Sequence, residues 1–180
     1  MVLYLHSVSL PTLKLRPYRI EEFERACEIR ELINPETRER MKRNIESSGT
    51  WGDHFLHLAI DQAGVLVGDI QLRHCQFSMP PGVAEIGVEV AKELRGQGIG
   101  SQSLELASQY LFETGYYRVA GSTAVTNIAM QKAFEKAGWI REGVSHNLFV
   151  EAGIGIDYIV YAITHLGGGA VQVCVGKETQ

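Results

Sequence analysis

The segment Glu93-Leu-Arg-Gly-Gln-Gly-Ile-Gly-Ser101 sets Gly96, Gly98 and Gly100 at alternate positions beside Arg95, just ahead of a stretch with helical spacing. Glycines let a backbone approach a ligand closely. The helix that follows offers unpaired N–H groups and the positive end of its dipole, which together suit a pyrophosphate. Arg95 can add a charge-assisted contact. Upstream, Ala84 to Val90 (AEIGVEV) carries Glu85 and Glu89, four residues apart and so on one face of a strand. Two carboxylates there could attract a cation, and their mutual repulsion would raise one pKa. Downstream, Asn127 is of the type that caps a helix.

Several anion loops share this glycine content. A Walker A loop ends in Gly-Lys-Ser/Thr, whereas this one ends in Gly100-Ser101-Gln102. A dinucleotide fingerprint runs G-x-G-x-x-G in a βαβ unit; here the pattern is G-x-G-x-G after a hairpin. An ordinary turn that binds nothing would not need three alternate glycines, each of which weakens regular structure.

The elements that must hold these residues can be read from periodicity and punctuation. Thr12 to Arg19 alternates and predicts a strand. Ile20 to Ser48 predicts two helices broken at Asn34-Pro35, with Phe23, Ala26, Cys27, Ile29 and Ile33 as the apolar set. Phe55 to Ile60 and Val65 to Cys75 form a hairpin about the turn Asp61 to Gly64. Met79 to Gly82 is a second turn before the strand Ala84 to Val90. Ser101 to Thr114 predicts a helix, Tyr116 to Val125 a strand, and Asn127 to Ala137 a helix stopped by Gly138. Trp139 to Val150 and Ile156 to Ile163 complete a last hairpin. The fold class is α/β (α+β), with a mixed, mostly antiparallel sheet of about seven strands and about four helices.

Composition narrows the function classes. The chain has 180 residues, 45% hydrophobic and 21% charged, which fits one globular domain. Residues 1–165 are assigned to it and 166–180 to a tail of unknown role. With 17 basic against 21 acidic residues, net −4, no nucleic-acid partner is expected. No apolar run reaches membrane-span length, and the amino end lacks the basic start of a signal peptide, so a cytoplasmic protein without a membrane partner is expected. Cys27, Cys75 and Cys174 show no C-x-x-C pairing, and the histidines form neither H-x-x-x-H nor H-E-x-x-H. Neither a disulfide framework nor a metal is expected. His54 and His57 sit in a strand-like stretch, on opposite sides.

Arg95-Gly-Gln-Gly-Ile-Gly100 resembles the R/Q-x-x-G-x-G/A acetyl-CoA loop of the GCN5-related N-acetyltransferases, the GNAT superfamily. Ala84 to Val90 resembles that family's fourth strand. Asn127-Ile-Ala-Met-Gln-Lys-Ala-Phe-Glu-Lys-Ala-Gly-Trp139 resembles its N-x-x-(S/A)-x-x-x-(Y/L)-E-K-x-G-F segment. Arg141-Glu-Gly143 continues the pattern, and Asp157 falls where many members carry an aspartate. The opening LKLRPYRIEEFE is similar to the ribosomal-protein-alanine acetyltransferase branch, the RimJ/RimL-like enzymes. The resemblance spans about residues 12–163.

The resemblance implies an acetyl-CoA-dependent N-acetyltransferase that moves an acetyl group to a primary amine, a protein N-terminus or a small amine, by direct attack in a ternary complex. Acetyl-CoA is then the co-substrate. It implies that backbone groups of Val88, Glu89 and Val90 meet the pantetheine and thioester, and that Arg95, Gly96, Gln97, Gly98, Ile99, Gly100 and Ser101 hold the pyrophosphate. Glu85, or Glu89 as base or substrate contact, would take the amine proton, and Asn127 would touch the cofactor. The usual thiolate acids are missing: Phe134 stands at the tyrosine position and Met130 at the serine position, leaving water, Ser145 or Tyr158. That departure keeps a non-catalytic acyl-CoA-binding regulatory domain as the alternative. The acceptor wall is expected from about Glu31 to His54 and the last hairpin, with Trp51, His54, Phe55 and His146 as candidate side chains. The acidic excess after residue 60 favours a cationic acceptor. For the tail, an edge strand, a share in a homodimer and disorder all stay open.

Overall fold

The computed structural model describes residues 12–74 and 80–165. The turn residue Met79, the cysteines Cys75 and Cys174, and the tail 166–180 fall outside that range. Strand β1 (Leu13–Arg16) is shorter than the alternation suggested and pairs antiparallel with β2 (Phe55–Gln62). A 3-10 turn at Ile20–Glu22 leads into helix α1 (Phe23–Ile29), and Pro35 opens helix α2 (Pro35–Glu46). Asn34 caps α2 by accepting the Glu36 N–H at 2.8 Å, and proline is well placed in a first turn that lacks N–H partners.

The break at Asn34-Pro35 is present, but α1 ends sooner than the spacing predicts. Glu31 adopts φ 53°, and the Leu32 N–H bonds back to the Cys27 carbonyl at 2.9 Å. The chain therefore leaves the helix before Ile33, which is 93% exposed instead of continuing the apolar face.

Strand β3 (Val65–Arg73) returns from β2 through Ala63 and Gly64, both with positive φ, a two-residue turn whose twist matches the strands. Strand β4 (Val83–Val90) pairs antiparallel with β3 and parallel with β5 (Arg118–Ala124). Between them lies helix α3 (Ile99–Glu113), which starts two residues before the expected Ser101. Helix α4 (Ile128–Lys136) follows β5. The hairpin β6 (Ile140–Glu151) and β7 (Ile154–Thr164) closes the chain, with β7 inserted between β5 and β6. The sheet has seven strands in the order β1-β2-β3-β4-β5-β7-β6, the mixed and mostly antiparallel arrangement expected.

Strand alternation divides the core between the two faces. Ile60, Ile70, Leu72, Ile86, Val119 and Tyr161 pack with Leu104, Leu111 and Phe134 under α3 and α4. On the other face Ala59, Leu66 and Ala91 pack with Ala26, Cys27, Ile29, Met41 and Ile45 from α1 and α2. A bidentate ion pair between Arg30, at the end of α1, and the buried Asp69 of β3 ties that second layer to the sheet. Among the described residues no helix is long and apolar enough to cross a membrane.

Candidate active site

The sheet parts in its middle. β4 and β5 are paired over three positions, Val83–Arg118, Ala84–Val119 and Glu85–Ala120. Beyond them β4 stays with β3 as far as Val90, and β5 stays with β7 as far as Ala124. The orientation of the peptide groups can be followed along β4. The Glu89 carbonyl lies against Gly68 of β3, and the Ile86 carbonyl against Gly121 of β5. The Val90 carbonyl accepts from Arg95 Nε at 3.0 Å. By alternation, Val88 and Val90 turn their backbone groups to the side that β5 has left. Apart from the Val90 carbonyl, which Arg95 holds, these half-buried groups are left to other partners, of the kind an extended amide-bearing ligand supplies. The backbone of Glu89, by contrast, is engaged with β3.

The end of this splay meets the glycine loop. A 3-10 turn at Lys92–Leu94 carries the chain out of β4. Gly96 and Gly98 then take φ 79° and 84°, and Gly98 is the N-cap of α3. The first helical N–H bond runs from Gln102 to the Gly98 carbonyl at 3.1 Å, so the amides of Ile99, Gly100 and Ser101 point out of the helix end. The Ile99 side chain is buried in the core, and the Ser101 hydroxyl donates to the Gly98 carbonyl at 2.9 Å. Both residues therefore offer the loop their N–H groups. Arg95 is turned back on β4, bonding Glu89 at 2.6 Å. Gln97 is exposed on the loop.

A second cation stands at the loop that the sequence reading did not single out. An atom placed as a Cβ on Gly98 would lie 3.4 Å from the Lys136 Nζ. Lys136 is in the last turn of α4, brought there by the packing of α4 on α3, where Ala133 lies beside Gly100. Its signal was present in the Glu135-Lys136 pair, but only the α3–α4 packing shows what the ammonium faces. Replacing Lys136 by alanine is expected to raise the KM for acetyl-CoA about fivefold to tenfold with kcat nearly unchanged, as loss of one partly solvated charge–phosphate contact would; steady-state kinetics at varied acetyl-CoA checks this. Valine at Gly98 would combine a strained φ with a side chain inside the loop. The expected result is a roughly thirtyfold weaker Kd for CoA by calorimetry, with a melting temperature only a few degrees lower.

The candidate base residues lie on the face covered by α1 and α2. Glu85 sits at the apex of the splay, 3.4 Å from Arg73. Glu89 sits near its open end, beside Arg95. Burial pushes the Glu89 carboxyl above the usual carboxylate range, against the pull of Arg95 and Arg30. Gly87 lies between them, and a Cβ there would meet nothing within 4 Å. Gln71, its cross-strand neighbour on β3, lines a cavity of about 400 Å³ bounded also by Arg30, Leu32, Arg40, Met41, Phe55, His57 and Arg73 among others. Burial and the nearby Arg30 lower the His57 pKa, so its ring is neutral near pH 7.

Asn127 follows β5 by three residues and caps α4, accepting the Met130 N–H at 3.1 Å. The residue itself is exposed. Phe134 is 1% exposed and stacked on Tyr161 at 4.9 Å. Tyr158 and Ser145 are opposite one another on β7 and β6, on the same face as Glu85 and Glu89 by alternation with Tyr161. Of the four side chains expected in the acceptor wall, Phe55 lines the cavity. Trp51 instead stacks on His74 at 4.5 Å and packs against the core, at the end of the sheet away from the glycine loop. His54 meets Phe55 and His74 edge-on beside it. His146 is held by Asp157 at 2.8 Å, and alternation along β7 turns Asp157 to the α3 and α4 face, away from the cavity.

A family model for the acetyltransferase (GNAT) family matches residues 18–139. No curated protein matches the chain. Among solved structures, RimL, a ribosomal alpha-N-protein acetyltransferase in complex with coenzyme A, is 20% identical, with a TM-score of 0.71 over 85% of this chain and 94% of its own. Mycobacterium smegmatis RimJ in complex with a CoA disulfide is 18% identical, with a TM-score of 0.68 over 84% and 81%. A microcin self-immunity acetyltransferase, MccE, in complex with acetyl-CoA and AMP is 16% identical, with a TM-score of 0.69 over 85% and 92%. At these identities the likeness is one of fold.

Proposed function

The chain belongs to the GNAT acetyltransferase family, and from that premise we propose that it moves the acetyl group of acetyl-CoA to a primary amine by direct attack in a ternary complex. The observation that carries this reading is the β4–β5 splay with the α3 N-terminus at its open end. Acetyl-CoA supplies an acetyl group activated as a thioester. Val88 and Val90 bond the pantetheine arm through their backbone. The loop amides from Gly96 to Ser101 and the Lys136 ammonium hold the pyrophosphate. Asn127 donates from the opposite rim.

The chemistry divides among the residues of the α1 and α2 face. The Val88 N–H is placed to donate to the carbonyl oxygen as it gains charge. Glu89 takes the proton from the incoming ammonium, since only the neutral amine attacks. Its neighbourhood suits that role, because a base with a raised pKa holds a proton better than an ordinary carboxylate. Glu89 adjoins Val88, whereas Glu85 is about 10 Å further along the strand. Glu85 therefore attracts the cation, or passes its proton through water. Tyr158 or Ser145 returns a proton to the departing thiolate.

One observation favours a second reading, a non-catalytic acyl-CoA sensor. Phe134 and Met130 cannot donate a proton, and Phe134 is locked in a ring stack. Calorimetric titration with acetyl-CoA, run beside free-thiol release against an amine panel, separates the two. Binding with thiol release is the expected result. Binding without release for any amine would replace the enzyme by the sensor, and no binding would overturn both.

A further inference from the structure

We infer that the acceptor is a small amine carrying an anionic group, a carboxylate or phosphoryl oxygens, held by Arg73 and Arg40 in the cavity over β2 and β3. The inference rests on the acetyltransferase reading for the fate of the amine, and on the cavity for the rest. Three guanidiniums line the cavity, from Arg30, Arg40 and Arg73, and no carboxylate does. They are not equally committed. Arg30 is bound by both oxygens of Asp69. Arg73 has one 3.4 Å contact to Glu85, and its Nε is buried without a hydrogen-bond partner among the described residues. Arg40 has no ion pair among them. The Arg73 Nε has almost no accessible surface, so an anion in the cavity would bond the outer nitrogens of Arg73 and Arg40, each a charge-assisted bond.

The geometry orients such a molecule. Gln71 lies opposite Gly87, and Arg73 opposite Glu85. A Cβ at Gly87 would meet nothing within 4 Å, so the strand is bare beside Gln71 of the cavity. Glu85, opposite Arg73, lies about 10 Å along β4 from Val88, so an acceptor with its anion on Arg73 and Arg40 and its amine toward Glu89 and Val88 carries the two groups at opposite ends of a chain, as an amino acid with a side-chain amine does. Phe55, Leu32 and Met41 supply apolar contact, and His57 and Gln71 offer neutral polar groups. The volume, about 400 Å³, is near the lower end of small-molecule pockets, roughly 300–1,000 Å³, which favours a free amino acid over a protein tail. The sequence-wide acidic balance, which favoured a cationic acceptor, is thus reversed locally.

The test is equilibrium binding to the CoA-loaded protein of free amino acids, of the same amino acids as carboxamides, and of short peptides beginning with them. At least one free amino acid is expected to bind about tenfold or more tighter than its carboxamide. The difference should shrink below about threefold in Arg73→Gln and in Arg40→Gln; Arg40 is exposed, so its variant retains the fold. Equal affinity for the carboxamides, an unchanged preference in both variants, or no binding by any probe would overturn the inference. Tighter binding of peptides would overturn the small-molecule assignment. Free-thiol release in parallel samples loaded with acetyl-CoA keeps the two readings apart: preference for carboxylates without release would sink the transferase and leave the anion site standing.

Discussion

Replacing Glu89 by glutamine is expected to lower kcat by about two to four orders of magnitude, the range for losing a general base, while the Kd for acetyl-CoA moves less than about threefold. The charge is removed without changing the shape of the strand, and the Glu89 backbone still pairs with β3. The pH profile sharpens the test. The base must be ionised to work, so kcat/KM falls as pH drops through the Glu89 pKa. Because burial raises that pKa, the fall should begin above the ordinary carboxylate range. The glutamine variant should lose this acid limb altogether. Glu85→Gln should keep the limb and lose at most about tenfold, mainly in the acceptor KM. If Glu85→Gln flattens the limb and Glu89→Gln does not, the base is at the apex of the splay and the roles exchange.

Replacing Asp69 by alanine is expected to lower folding stability by about 3 kcal/mol. Asp69 is 4% exposed, and its removal leaves the Arg30 guanidinium without its partner. Breaking a buried pair costs roughly 3–5 kcal/mol, and the lower end applies because the Arg30 side chain is 32% exposed. The double replacement Arg30→Met with Asp69→Leu should be less harmful than Asp69→Ala, since no orphan charge remains. Urea unfolding of all three proteins checks the order. A loss below about 1 kcal/mol in Asp69→Ala would show the pair to be of the weak surface kind. The consequence reaches the site, because Arg30 also walls the cavity.

Features written in short stretches of sequence were legible. The glycine loop, the Asn127 cap and the Asn34-Pro35 break each depend on a few adjacent residues and appear where their chemistry requires them. The mixed, mostly antiparallel sheet of about seven strands followed from hairpins succeeded by strand–helix alternation, but the place of β7 between β5 and β6 did not. Ile33 was misassigned because apolar spacing continues past the point where Glu31 turns the chain out of the helix. The cavity was harder to foresee. Its floor consists of Phe55 and His57 of β2 with Gln71 and Arg73 of β3, and they become neighbours only through a register set partly by the irregularity at Ile60/Asp61. Polar residues at positions that helices should cover were the available signal. The place of Lys136 needed the α3–α4 contact at Gly100 and Ala133, a distance no linear pattern carries. Trp51 was open between an acceptor contact and a packing role, and its stack on His74 is the packing role.

The parting of β4 from β5 divides the sheet into two leaves, β1–β4 and β5–β7, hinged on three rungs. A pantetheine bonded to both rims would act as a removable strand, closing the seam from outside. Loading with CoA should therefore behave as a clamp. Amide hydrogen exchange should slow on β4 and β5 together, including on β5, which is not assigned the cofactor's main contacts. Thermal unfolding should rise with ligand as mass action requires and also become sharper, because two leaves that open separately without the ligand would open as one with it.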